Sequence, residues 1–387
     1  MKKETTSLNQ KACRKTRKRL LFIHDYPPKN GGGLGINVYE TALTLSKYYD
    51  VEILTSRIKD HFVNDSHESF DIPVEIVSRS IKGVFFLIHE IKNSDLTIVN
   101  LTFSFHFGSV VSLLLLPILT RRYICIFHSR TNHLDYNRLR RIPRFLVMFL
   151  FNLLSFSINK SNRNLVFSRN QKDELTKHRI RNLEILPMIF QFKREYFRNY
   201  LTRLNSSIEP NVYYIGEISE LKGIIYLIEA AKILNPKIPI ILVGNGPNKQ
   251  KYLDMLKSSS SYLKLNVSFK DGVPQSMVPE ILRNAFLIIV PSLSDAWPRI
   301  IIEAMICGVP VLANRLESIS EMIKNQETGI TVDIKDRSKV VAMIYNIIEN
   351  RQKRNEMIEK AHKYVLTEYS GTEERWKEMI NQILEQR

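Results

Sequence analysis

Residues 291–314 read PSLSDAWPRIIIEAMICGVPVLAN, and this stretch decides the fold. An apolar run ends in a short polar loop that carries Asp295, and Pro298 is suited to the first turn of a helix. That helix is apolar except for Glu303, it ends at Gly308, and a further apolar run follows it. The pattern predicts a strand, a loop, a buried helix and a second strand, with one carboxylate in the loop and another on the helix.

Glu303 is the unusual residue of this helix, because a buried carboxylate must be paired or hydrogen-bonded. At the carboxyl end of a parallel sheet, the hydroxyl groups of a ligand could satisfy it. The alternative is an ordinary helix–sheet unit that happens to carry an acid.

The rest of the chain alternates short apolar runs with helical patterns, which is typical of α/β proteins with parallel, doubly wound sheets. A length of 387 residues suits two domains of ordinary size. We predict a basic tail at 1–18, a first domain at 19–204, a second domain at 205–370 and a last helix at 371–387.

The unit around Asp295 resembles the donor-site signature of retaining glycosyltransferases of the GT-B fold, family 4 (glycosyl transferases group 1) type. An acid, seven residues, Glu303 and then A-M-x-C-G-x-P-V agree with it in order and spacing, although Asp295-Ala296 replaces the usual Glu-Gly. The resemblance implies two Rossmann-like doubly wound domains that face a cleft, with the last helix crossing back to the first domain. It also implies sugar transfer from a nucleotide sugar with retention, without a protein nucleophile.

A second motif, YIGEISELKG at 214–223, resembles the family's G-R-x-x-x-x-K-G, whose two basic side chains contact the donor diphosphate. Lys222 fits this pattern, but Glu217 stands where arginine is expected. We expect Lys222 to neutralise the leaving diphosphate and Asp295 to orient the donor sugar. Arg299, at the start of the signature helix, is our candidate for the missing cation.

Three further loops resemble donor-binding segments of the family. PPKNGGGLG at 27–35 lacks the G-x-G-x-x-G spacing of a dinucleotide site, and no acid follows the second strand, so we do not expect a nicotinamide cofactor. LVGNGP at 242–247 resembles the floor of the nucleotide pocket, although a glycine turn explains it equally well, and Val273 lies in the segment that holds the base. The positions expected at the donor are therefore Gly32, Gly33, Gly216, Gly244, Gly246, Val273, Arg299 and Glu303.

Histidine provides the third candidate catalytic side chain beside Lys222 and Asp295. His128 follows the apolar run at 123–127, and the family often has a histidine there, near the transferred sugar. His106 is a second candidate, although a histidine after an apolar strand is often structural. No metal-binding pattern is visible, since His61 and His67 suit a solvated loop, and we expect backbone amides and Lys222 to hold the phosphates.

The positive charge is concentrated in one half of the chain. Residues 1–200 hold 32 lysines and arginines against 17 acids, or +15 of a total of +17. The run RLRRIPRFLVMFLFNLLSF at 138–156 places four arginines before an apolar helix too short to span a membrane but suited to the interface. We therefore expect an anionic membrane surface as partner; a solubilising surface and an ordinary core helix are the alternatives.

Together these features predict an enzyme that transfers a sugar from a nucleotide sugar, UDP- or GDP-linked, to a lipid-linked glycan or oligosaccharide in cell-surface polysaccharide synthesis, with no metal or other cofactor. Three cysteines without paired spacing and the absence of a secretion signal suggest a cytoplasmic protein, peripheral at the inner face of the membrane. The alternatives are a nucleotide-sugar epimerase on the same fold and a homologue that binds donor without transfer. No nucleic-acid-binding motif accompanies the charge.

Overall fold

The computed structural model describes residues 17–25, 32–56, 70–101, 107–128, 144–204, 208–258 and 264–386. The chain divides into two compact units. The first domain comprises Met1–Gln191 and Gly371–Arg387, and the second comprises Phe192–Ser370.

The first domain contains a seven-stranded sheet in which every pair of neighbouring strands is parallel. Its strands are β1 (Arg19–His24), β2 (Asp50–Ser56), β3 (Val74–Val77), β4 (Leu96–Leu101), β5 (Tyr123–Phe127), β6 (Arg163–Val166) and β7 (Leu183–Ile185). Its helices up to residue 191 are α1 (Gly32–Leu45), α2 (Ile81–Lys92), α3 (Phe107–Leu119), α4 (Arg144–Lys160) and α5 (Arg169–Lys177).

The strand order β3-β2-β1-β4-β5-β6-β7 is that of a doubly wound sheet. The chain builds outward from β1 in one direction, then returns to its other side with β4, so the winding reverses between β1 and β4. Helices α2, α3 and α4 bury Leu87, Leu116 and Ile158 in one apolar cluster with strand residues such as Val99 and Tyr123. The sequence expectation of a parallel α/β domain here is confirmed.

The second domain repeats this plan with a six-stranded parallel sheet of order β10-β9-β8-β11-β12-β13. Its strands are β8 (Val212–Ile215), β9 (Ile240–Val243), β10 (Val267–Lys270), β11 (Leu287–Val290), β12 (Val311–Asn314) and β13 (Ile330–Val332). Its helices are α6 (Arg194–Leu204), α7 (Ile224–Ala231), α8 (Lys249–Ser258), α9 (Val278–Asn284), α10 (Arg299–Ile306), α11 (Glu317–Met322), α12 (Arg337–Glu349) and α13 (Arg351–Tyr369), with short 3-10 turns at Glu220–Lys222 and Gln275–Met277. Here the winding reverses between β8 and β11, and ligands of such sheets bind outside the carboxyl ends of the strands at that point.

The last helix, α14 (Thr372–Glu385), belongs to the first domain. The buried indole of Trp376 donates to the carbonyl of Pro187 at 2.8 Å, and Tyr49 Oη donates to Asn381 Oδ1 at 2.8 Å. Two buried aromatic residues with satisfied polar groups therefore fix this helix to the domain that precedes Phe192.

The division between the domains differs from the predicted one at 204/205. Helix α6 belongs to the second domain, where Asn199 Nδ2 donates to the carbonyl of Pro279 at 2.5 Å and the ring of Tyr200 stacks on His362 at 3.7 Å. Its polar sequence suggested a linker, but those polar side chains are the ones that hold it in place.

Helix α4 begins at Arg144 within the described residues, whereas the sequence predicted a helix from 138, and residues 138–143 lie outside the described part of the chain. Among the described residues, no helix is both long and apolar enough to cross a membrane.

Candidate functional site

Two loops at the carboxyl edge of the second sheet bring Lys222 and Asp295 together. Strand β8 leads to the 3-10 turn that ends at Lys222, and its neighbour β11 leads to the loop with Asp295. Lys222 Nζ donates to Asp295 Oδ2, and 27% and 15% of the two side chains remain exposed. The pair lies at the reversal of the winding, so the two most specific motifs of the sequence meet where a ligand is expected.

Backbone contacts fix the approach of these two loops. Gly223 has φ +67°, and a Cβ there would overlap the carbonyl of Pro291. The amide of Leu293 also donates to the carbonyl of Leu221 at 2.8 Å. The Lys-Gly pair of the motif therefore has a structural reason: glycine admits the second loop, and the preceding lysine then reaches Asp295.

The charge on Lys222 is set by two carboxylates. Burial would lower the pKa of Lys222, but the charge of Asp295, the hydrogen bond to it and the charge of Glu217 together raise that pKa, so the side chain is an ammonium at neutral pH. Burial, then Asp295 and Glu217, likewise raise the pKa of Tyr214, whose hydroxyl donates to the carbonyl of Glu217 at 2.7 Å. Glu217 is exposed, yet its charge acts on this site.

Asp295 is held by its backbone as well as by Lys222. Ser318 Oγ donates to the Asp295 carbonyl at 2.6 Å, and Ser292 Oγ lies 3.4 Å from Asp295 Oδ2. Asn314 Nδ2 donates to the carbonyl of Ser292 at 2.9 Å, which ties the loop to the end of β12. These bonds place the carboxylate on a fixed loop.

Glu303 is satisfied by protein donors. Arg299 Nε donates to Glu303 Oε1 at 2.6 Å across one helical turn, Gln275 Nε2 donates to the same oxygen, and Tyr196 Oη lies 3.4 Å from it. The sequence argument left ligand hydroxyl groups as the means of satisfying this buried acid. The structure adds protein donors to that argument, since side chains from α10, the Gln275 turn and α6 contact Oε1 of the carboxylate.

Arg299 lies in this buried pair. The sequence placed it at the donor phosphates, whereas in the structure its Nε contacts Glu303 and only 6% of the residue is exposed. Of the basic side chains predicted to contact the phosphates, Lys222 is therefore the one that lies beside Asp295 and remains partly exposed.

The glycines of the two donor-side loops are explained by backbone packing. A Cβ on Gly244 would overlap the carbonyl of Gly216, and one on Gly246, where φ is +159°, would lie 2.7 Å from the amide nitrogen of Ile218. The loops after β8 and β9 therefore contact each other directly. Val273 is exposed two residues before Gln275, so the segment expected to hold the base is joined to Glu303.

In the first domain, Gly32 and Gly33 form the first turn of α1. The sequence placed them in a loop, with the helix starting near residue 36. In the structure the helix already begins at Gly32. A Cβ on Gly33 would meet no atom within 4 Å. The amides of a first helical turn lack partners within their own helix, which makes such a turn suitable for an anion.

His128 follows β5 and is buried, with 7% of its surface exposed. Its Nε2 lies 2.8 Å from Asn100 Oδ1, and its ring centroid lies 6.0 Å from that of His24. Burial, with a smaller effect of His24, lowers the pKa of His128 well below its usual value, so the ring is neutral. His61, His67 and His106 lie outside the described residues.

Sequence reasoning missed Tyr196, Gln275 and Asn100. A signal existed for the first, because Tyr196, Asn199, Tyr200 and Arg203 recur at helical spacing along one face of α6. For Gln275 and Asn100 no sequence signal distinguishes them from other polar residues near strand ends.

Comparisons with known proteins agree with this geometry. Residues 203–364 match the family model described as glycosyl transferases group 1. N-acetyl-alpha-D-glucosaminyl L-malate synthase of Bacillus anthracis is 25% identical over 233 residues, covering 57% of this chain and 59% of that protein. The chain spans less than two thirds of the length of the curated relatives it matches first.

Solved structures resemble both domains. HepE of Anabaena in complex with UDP and glucose has a TM-score of 0.72 and 16% identity, covering 94% of this chain and 99% of that one. WaaG, a glycosyltransferase involved in lipopolysaccharide biosynthesis, has a TM-score of 0.66 and 15% identity, covering 93% and 99%. The chain therefore has the GT-B fold, and residues 203–364, within its second domain, match the glycosyl transferases group 1 family.

Proposed function

We propose that this protein is a retaining, metal-independent glycosyltransferase that moves a sugar from a nucleotide sugar to a hydroxyl acceptor. The observation that carries the proposal is the Lys222–Asp295 pair, which lies where the winding of the second sheet reverses. Glu303 follows Asp295 by eight residues and lies on a buried helix. The pair offers one ammonium and one carboxylate on fixed loops where ligands of such sheets bind. The family match of the same domain supports this chemistry.

Each group has a role in this proposal. The ammonium of Lys222 neutralises the charge that develops on the departing diphosphate, which stabilises the transition state more than the bound donor. The carboxylate of Asp295 accepts hydrogen bonds from the donor sugar, and Glu303 accepts them from the ribose. In the second domain, amides of the loop around Val273 complete the donor contacts, and in the first domain the amides of the turn at Gly32 and Gly33 suit an anionic group.

The donor is a UDP- or GDP-linked sugar. The HepE structure contains UDP and glucose, which supports a nucleotide-sugar donor for a chain of the same fold. The segment at Val273 would contact the base through backbone groups, which do not identify the base. A panel of nucleotide sugars therefore determines it.

A direct test combines donor panels with product analysis. The protein is incubated with UDP- and GDP-sugars, with and without a lipid-linked acceptor fraction. Products are identified by mass spectrometry, and proton NMR determines the sugar and its anomeric configuration. We expect nucleoside diphosphate release that depends on the acceptor, and an acceptor heavier by one sugar with retained configuration. An altered free sugar made without acceptor would instead indicate an epimerase, and donor binding without turnover a non-catalytic homologue.

Nucleotide binding tests the role of Glu303 separately. Glu303→Gln should weaken nucleoside diphosphate binding about tenfold in calorimetry, because hydrogen bonds to a charged acceptor are worth roughly 1.5–3 kcal/mol. Glu317→Gln is the control for the loss of one nearby acid, since Glu317 is an exposed acid at the start of the next helix, α11. Unchanged affinity of a folded Glu303→Gln protein would assign Glu303 to structure alone.

We further propose a lipid-linked acceptor and a peripheral position at the inner face of the cytoplasmic membrane, in cell-surface polysaccharide synthesis. Helix α4 packs on the core through Leu154 and Ile158 but exposes 41% of Leu153 and 58% of Phe156, with Lys160 Nζ 5.5 Å from the Phe156 ring centroid. Ile118, at the end of the adjacent α3, is 82% exposed. Helix α4 is thus a core helix on one face and an apolar surface on the other, and a basic domain of this kind suits an anionic interface.

Vesicle flotation tests the membrane proposal. The full chain should float with anionic vesicles and lose that binding at high salt, because each basic residue near the surface adds about 1 kcal/mol that salt screens. Phe156→Ser with Leu153→Ser should reduce flotation several-fold, and Leu201→Ser, an exposed apolar residue of the second domain, should not. Equal recovery with neutral and anionic vesicles would overturn the proposal and favour a soluble acceptor.

A further inference from the structure

Asn100 and His128 are joined by a hydrogen bond across two neighbouring strands of the first sheet. Asn100 lies on β4 and His128 directly follows the neighbouring β5, and both are buried. Asn100 Nδ2 donates to the carbonyl of Ile23 on β1 at 3.2 Å, and its Oδ1 lies 2.8 Å from His128 Nε2. The asparagine therefore bridges β1 to the histidine near the reversal of this sheet.

This arrangement determines which ring nitrogen carries the proton. The carbonyl of Ile23 only accepts, so it requires the NH₂ group of Asn100 and turns Oδ1 toward the histidine. Oδ1 also only accepts, so Nε2 of His128 must be the donor. In a neutral ring, Nδ1 then carries a lone pair and no hydrogen.

Nδ1 of His128 is buried and has no hydrogen-bond partner among the described residues. A buried acceptor left unpaired costs roughly 1–3 kcal/mol. Among the described residues, Phe167 packs edge-on against the ring, with centroids 5.2 Å apart. Asp25, which follows β1, accepts hydrogen bonds from Ser109 at the start of α3. His24 is the neighbouring titratable group, with ring centroids 6.0 Å apart.

We infer that Asn100 is a positioning residue that holds His128 as the Nε2–H tautomer and so presents Nδ1 as a hydrogen-bond acceptor for a substrate hydroxyl. The assignment of the hydrogen-bond donor as a substrate hydroxyl rests on the proposed glycosyltransferase function, whereas the assignment of the tautomer does not. The lowered pKa of His128 is consistent with it, since an imidazolium has no acceptor nitrogen.

Nitrogen NMR of the full chain labelled with ¹⁵N-histidine tests the tautomer directly, with the His128 signals assigned by their loss in His128→Gln. We expect a protonated Nε2 and an unprotonated Nδ1 in the free protein at neutral pH. Asn100→Leu should release the tautomer into a mixture. Asn100→Asp should raise the pKa of the ring, because a carboxylate stabilises the imidazolium.

Asn164→Asp is the matched control, since Asn164 is a fully buried asparagine on β6 of the same sheet whose amide donates to Ile158 and Arg181 carbonyls instead. It should leave the His128 signals unchanged. A protonated Nδ1 in the wild-type protein, or an Asn100→Asp protein whose His128 titrates as before, would overturn the inference.

Turnover supplies the second measurement. Because protonation removes the acceptor lone pair, activity should fall as the pH drops through the pKa of His128, and Asn100→Asp should move this acid limb to higher pH. In Asn100→Leu, a raised KM for the acceptor or for the nucleotide sugar would show which substrate carries the hydroxyl. An unchanged KM, kcat and pH profile would overturn the substrate contact. The expected tautomer with no turnover on any donor would contradict the proposed function and leave the Asn100 assignment standing.

Discussion

Lys222→Ala is expected to lower kcat by roughly 10²-fold, the usual cost of losing a charged group that stabilises the transition state. The side chain is a partly exposed ammonium of the site, and Asp295 and Glu217 raise its pKa, so the wild-type protein keeps this charge throughout the neutral pH range. Steady-state kinetics with the preferred donor, together with thermal unfolding to confirm the fold, measures the effect. Asp295→Asn should impair transfer more than it weakens binding of the bare nucleotide.

The matched control is Lys251→Ala. Lys251 forms an exposed ion pair at 2.8 Å with Glu220, which lies in the same 3-10 turn as Lys222. Its replacement therefore tests for the loss of a nearby positive charge. Exposed pairs contribute little, and kcat should stay within about twofold. Full turnover in Lys222→Ala would mean that another cation neutralises the diphosphate. Glu217→Gln should tighten diphosphate binding, because it removes a negative charge that acts on Lys222.

Arg299→Met is expected to destabilise the second domain by about 3–5 kcal/mol, because it leaves the carboxylate of Glu303 buried without its cation. Gln275 and Tyr196 would remain as donors to that oxygen, but neither carries charge. Urea unfolding followed by tryptophan fluorescence measures the loss. Each domain has one tryptophan, Trp297 in the second and Trp376 in the first, so the two transitions can be compared.

The double variant Arg299→Met with Glu303→Leu separates charge from packing. Replacing both members of a buried pair by apolar residues of similar size is often close to neutral, so most of the lost stability should return. Such a protein should fold yet bind nucleotide poorly. If Arg299→Met alone unfolded at the wild-type urea concentration, the pair would not be buried in solution.

Much of the fold could be predicted because its strands are short apolar runs with clear ends. The predicted bounds of β1, β8 and β11 agree with the structure, since proline, glycine or a polar residue follows each run. Helix α6 could not be assigned to the second domain from its sequence. The side chains at helical spacing along one face indicate burial, but they do not show which domain that face contacts through Asn199 and Arg203.

The candidate site was predictable as a set of residues and less so as a set of contacts. Lys222 and Asp295 were recognised from two motifs that lie 73 positions apart, and their ion pair depends on how the loops at Gly223 and Pro291 meet in three dimensions. The Arg299–Glu303 pair had a local signal, because residues four apart face each other on a helix. The position of Arg299 at the start of the helix suggested a phosphate contact instead.

Helix α6 has a practical consequence for dividing the protein. A fragment begun at residue 205 would contain the whole second sheet, yet it would lack Tyr196 beside Glu303 and Arg203, whose Nη2 donates to the carbonyls of Leu282 and Ala285 at 3.0 and 2.6 Å. The ends of α9 and the back of α10 would then face water. A fragment begun at Phe192 keeps these contacts and is the better starting point for expressing the second domain alone.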